Sequence, residues 1–153
     1  MDHPLGARVF TPDFFPTLLS GIGLIAIYAI IGAVLMYVGY FAIDLTTPGD
    51  LRALVREGRP NAVVVAASGL VSMALIVVTA IYVSGGGFLT GIVNTLVFGL
   101  VGIVAQVIAV RGLEYVSRLD VGTCLHDEGY TPVSAMIAGM HVALGLVVAV
   151  AII

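Results

Sequence analysis

The chain has 153 residues, of which 60% are apolar and 10% charged, with six basic and nine acidic side chains and a net charge of −3. A soluble domain of this length cannot hide so much apolar surface, so the composition describes an integral membrane protein. It also excludes a nucleic-acid-binding module, since the few arginines form no extended basic face.

In chain order, residues 1–16 form an N-terminal tail. Thr11, Pro12, Asp13 and Pro16 mark entry into a helix, with Pro tolerated in the first turn. The tail opens on Asp2 and His3 without a basic cluster, and the apolar run after it is too long for a signal core, so the first span is expected to stay attached. Four runs are then long enough to cross a bilayer as helices: Thr17 to Ile43, Ala62 to Val83, Phe88 to Val110 and Pro132 to Ile153. None contains Asp, Glu, Lys or Arg. They are apolar on every face, which excludes the alternating strands of a membrane barrel. The expected fold is therefore all-α, with four transmembrane helices arranged as two tandem helical hairpins.

The first connection carries Arg52, Arg56 and Arg59 and reads as a short helix. Thr47 is its expected cap, Pro48 its first residue and Gly58 its left-handed stop. Leu51, Leu54 and Val55 share one face, so the helix is expected to lie amphipathically on the membrane surface. The second connection, Ser84 to Gly87, is a glycine turn with no phosphate-loop ending. The third, with Arg111 and Arg118, repeats the first: Asp120 as cap, a helix from Val121 to Glu128, and Gly129 as stop.

Arginine placement predicts orientation. The first and third connections are expected in the cytoplasm, and both termini and the glycine turn outside. Superposing Glu57-Gly58 on Glu128-Gly129 suggests a repeat, with a first two-span unit at 17–83, an external turn at 84–87 and a second unit at 88–153.

The segments Thr47-Pro-Gly-Asp50, Leu51-Arg-Ala-Leu-Val-Arg-Glu-Gly58, Asn61-Ala62 and Glu128-Gly129 resemble the bacterial family called domain of unknown function 350. The resemblance covers nearly the whole chain beyond the tail, and its second copy is eroded. It implies tandem two-span units in the bacterial inner (plasma) membrane and a role linked to envelope stress or polyamine systems. It implies no catalytic residues.

Among intramembrane polar groups, His141 stands near the middle of the fourth span, where an ionisable group must face protein or water. Asn94 and Gln106 on the third span extend it to a candidate polar line across the bilayer. Interhelical hydrogen bonding is the preferred reading of all three, and a proton or ion path is the alternative. Ala135, Gly139 and Ala143 form a small-residue row that lets another helix approach. Asp44 and Arg111, at the same predicted side, are candidates for an ion pair between the hairpins or for interface anchors, while Arg52, Arg56 and Arg59 are candidate lipid or partner contacts. Cys124, His126, Asp127 and Glu128 lack the paired spacing of a metal site. No catalytic constellation, cofactor motif or metal site is expected.

The functional expectation is a non-enzymatic assembly or regulatory component of an envelope membrane complex. Its expected partners are the lipid bilayer, a second copy or another membrane protein, and a cytoplasmic partner at the first connection. The alternative is a small oligomeric proton or ion channel or transporter using His141, Gln106 and Asn94.

Overall fold

The structure is a computed structural model and describes residues 13–153. The expectations for Thr11, Pro12 and most of the tail lie outside the described residues. Six helices follow in order: α1 (Phe14–Thr46), α2 (Leu51–Arg56), α3 (Pro60–Val83), α4 (Phe88–Ser117), α5 (Val121–His126) and α6 (Pro132–Ile152). The described residues contain no strand. The four long helices are each apolar and long enough to cross a membrane.

Two spans outrun their apolar segments. α1 continues past Ile43 to Thr46 and carries Asp44, and α4 continues past Val110 to Ser117 and carries Arg111 and Glu114. These charges do not end the helices because each is paired: Asp44 with Arg52, and Arg111 with Glu114 one turn later. Arg111 therefore belongs to a span helix and not to the third connection.

The cap of α2 is Asp50, whose carboxylate accepts from Ala53 N at 2.9 Å; it is not Thr47. Thr47 is already used to close α1, where its N–H and its hydroxyl both donate to Ile43 O, at 2.9 and 2.7 Å. Gly58 has the expected left-handed conformation, with φ +76°. Asp120 caps α5 as expected, accepting from Thr123 N at 3.0 Å. That helix ends at His126, short of Glu128, because Asp127 turns into extended backbone. Gly129 is not left-handed. Its role is to present a carbonyl to Asn61 Nδ2, at 2.8 Å.

The apolar face of α2 does not lie on lipid. Leu51 and Leu54 are buried in the protein core with Val121 and Leu125 of α5, beneath the start of α3. The two short helices thus form a plug on one end of the bundle. Their apolar burial is spent on intramolecular packing.

α3 is the centre of the molecule and touches every other helix. Half of its apolar window is buried, 50% against 11% for α1. α3 and α6 run in parallel, since Asn61 meets Thr131, Ser68 meets His141, and Ser72 lies over Gly145. α1 and α4 are also parallel, with Tyr28 over Gly91 and Leu35 over Gly99. Glycine is required at these crossings because a Cβ at Gly99 would meet Leu35, and one at Gly145 would meet the backbone of Ser72.

Candidate functional site

Four buried polar side chains of the span helices gather at the α3–α4–α6 junction. Gln106 of α4 donates through Nε2 to Ser72 Oγ on α3 at 2.6 Å and to His141 O on α6 at 3.0 Å. His141 Nδ1 lies 3.3 Å from Ser68 Oγ, again on α3. Each of these side chains is buried. In hydrocarbon the alternative to these bonds is an unpaired polar group, so the junction holds three helices in one register.

His141 and Gln106 are therefore brought together, as the sequence suggested. Asn94 is not. It sits twelve residues before Gln106 on the same helix, about 18 Å along the axis, and is only half-buried. Gln106, His141, Ser68 and Ser72 make a compact knot at one level, and Asn94 lies outside it.

Asp44 and Arg111 do not pair. Asp44 takes Arg52 Nε at 2.6 Å and Arg52 N at 3.0 Å, and the Arg52 guanidinium also covers the Phe41 ring at 5.3 Å. Arg111 takes Glu114 at 2.7 Å and donates to Thr47 Oγ1 at 3.2 Å. The physical reason is reach: each carboxylate has a closer arginine, Glu114 one turn along its own helix and Asp44 across the turn that follows α1. Thr47 is the direct link between α1 and Arg111.

The connections are stitched together by Asn61, which sequence reasoning left without a role, and by Arg59, which turns inward to the third connection. Asn61, fully buried, donates to Gly129 O and accepts from Thr131 N at 2.9 Å, so it holds the start of α3 to the start of α6. Arg59 donates to His126 O at 3.2 Å and lies 3.7 Å from Glu128. Arg56 is exposed. Glu114 was hidden in the sequence by its place beyond the apolar run; a carboxylate three residues after an arginine was the available signal. Asp44 and Glu114 are equivalent acids, each six residues before the capping aspartate, Asp50 or Asp120.

No three metal-binding side chains cluster among the described residues, and Cys124 is buried with its sulfur 3.2 Å from Thr131 Oγ1. The Asp120 carboxyl is held below its ordinary pKa by the backbone N–H of Thr123 and, second, by the Thr123 hydroxyl.

Residues 17–152 match the family described as Domain of Unknown Function (DUF350). The chain belongs to this family. Among curated proteins, this DUF350 chain is 32% identical over 149 residues to a UPF0719 transmembrane protein of Mycolicibacterium paratuberculosis, covering 97% of this chain and 98% of that one. It is 39% identical over 83 residues to the UPF0719 transmembrane protein Mb2631 of Mycobacterium bovis, covering 54% and 55% of the two chains. No solved structure matches. The DUF350 chain is thus a multi-pass membrane protein of a family whose function is uncharacterised.

Proposed function

We propose that the protein is a non-enzymatic assembly or regulatory component of a membrane complex in the bacterial envelope. In this reading it lies in the inner membrane with its termini outside, and the two-span units 17–83 and 88–153 act as one scaffold. The observation that carries it is the outer end of α1. Tyr28 is level with Gly91, so α4 begins level with about residue 25 of α1, and Phe14 to Leu24 extend roughly 15 Å beyond the bundle. That extension is apolar, with Leu18, Leu19 and Ile22 exposed. A helix of 33 residues is also longer than the roughly 20 that a hydrocarbon core requires. An apolar segment standing past the bundle's end is stabilised by a protein partner that covers it.

A second surface is compatible with the same role. Ala135, Gly139 and Ala143 of α6 are exposed, so the small-residue row faces away from the chain's own helices, where a neighbouring helix can approach closely. The plug of α2 and α5 leaves Arg52 and Arg56 exposed on its outer face for headgroups or a cytoplasmic partner.

The test is the size of the complex extracted from native membranes in mild detergent. Leu19→Arg and Ile22→Arg are expected to reduce it to the single chain while membrane insertion is retained. An unchanged size would overturn the assembly reading.

A further inference from the structure

The junction of α1, α3, α4 and α6 forms a partly open cavity of about 10 Å³, bordered by Gln106, Arg111, His141, Thr46 and Met73 among others. That is the room of one water centre. Hydrogen-bond bookkeeping decides which groups reach it unpaired.

Ser68 Oγ donates its proton to Val65 O at 2.8 Å, so it offers only lone pairs to His141 Nδ1. Nδ1 therefore carries the hydrogen, and Nε2 of the neutral ring is left as an acceptor at a residue that borders the cavity. His141 O must accept, which fixes the Gln106 amide with its nitrogen toward that carbonyl. Gln106 Oε1 then points away and is buried without a partner. Both residues are almost fully enclosed, Gln106 at 2% and His141 at 3% exposure. Arg111 borders the same cavity, and its Nε–H is buried and unpartnered as well.

We propose that this cavity binds a single water molecule, which donates to Gln106 Oε1 and His141 Nε2 and accepts from the Nε–H of Arg111. Two acceptors and one donor match what a water supplies, and three polar partners is the usual complement of a buried one. A cation is disfavoured by the Arg111 guanidinium in the wall, and an anion by the two acceptors. The water joins the polar knot around His141 to the Arg111–Glu114 pair, so a single buried network runs from the middle of α6 to the end of α4. It also makes His141 a neutral, fully bonded ring in the Nδ1–H form.

The test is solid-state NMR of the full chain in lipid bilayers with ¹⁵N-labelled His, Gln and Leu, using His3→Asn with His126→Asn so that His141 is the remaining imidazole. The same spectra of the unsubstituted chain, read by difference, give the comparison independently of those changes. The expected result is a protonated Nδ1, an unprotonated Nε2, and magnetisation transfer from water to the Gln106 side chain well above that to the Leu35 amide in the dry core. A protonated Nε2, or transfer to Gln106 no greater than to Leu35, overturns the proposal.

Discussion

Gln106 Nε2 and the backbone carbonyl of His141 are 3.0 Å apart across the α4–α6 interface, and the same nitrogen reaches Ser72 on α3. One side chain thus joins three spans. Gln106→Leu removes both interhelical bonds and leaves Ser72 Oγ without this donor, and is expected to destabilise the bundle by ~1–3 kcal/mol. Asn94→Leu, at a half-buried position outside the knot, is expected to shift stability by less than ~0.5 kcal/mol. Unfolding by denaturing detergent in mixed micelles, followed by circular dichroism, distinguishes the two.

Gly145 faces the bundle and Gly139 faces away from it, about 120° apart around α6. Gly145→Val drives a side chain into the backbone of Ser72 and is expected to lower thermal stability of the single chain. At Gly139 a Cβ meets nothing within 4 Å, so Gly139→Leu is expected to leave folding intact and weaken association with a neighbouring helix. Thermal melting and crosslinking in membranes, measured on both variants, separate packing within the chain from packing between chains.

The ionic partners are testable by double-mutant cycles. Asp44→Ala with Arg52→Ala is expected to show a coupling of about 0.5 kcal/mol or more. Asp44→Ala with Arg111→Ala is expected to be additive, because the two side chains have different partners. Coupling confined to the second cycle would reassign both pairs.

These cycles mark where the sequence stops being legible. The four spans are plain from unbroken apolar runs, and His141 and Gln106 stand out because a polar group in such a run needs a partner. The charge pairing is not plain, because three arginines, Arg52, Arg56 and Arg59, follow Asp44 in the next connection and selection among them depends on rotation and rotamer. Thr47 and Asp50 are both good caps three residues apart, and only the closing of α1 by Thr47 decides between them. The burial of Leu51 and Leu54 depends on α5 lying beside α2, a contact between distant segments that periodicity does not carry.

The cap of α5 has a pH signature. Because the folded pKa of Asp120 is depressed, its stabilisation is present above the ordinary aspartate value and is lost as pH falls through the folded one. Hydrogen exchange at the Thr123 amide is expected to lose protection in that acid range relative to the neutral-pH trend. Asp120→Asn is expected to remove the pH step.

Orientation is best read from introduced thiols, since Cys124 is buried and a poor target for a maleimide. In a Cys124→Ala background, Arg56→Cys is expected to label with an impermeant maleimide only after permeabilisation, and Gly85→Cys in intact cells. The reverse pattern would invert the topology.

In the proposed scaffold the intramembrane polar residues hold helices together and do not line a path. Proton and ion flux in liposomes reconstituted with the purified chain tests it most directly. Flux no greater than in empty liposomes is the predicted result. Reproducible flux that disappears in a folded His141→Leu variant would contradict the claim and restore the transport reading.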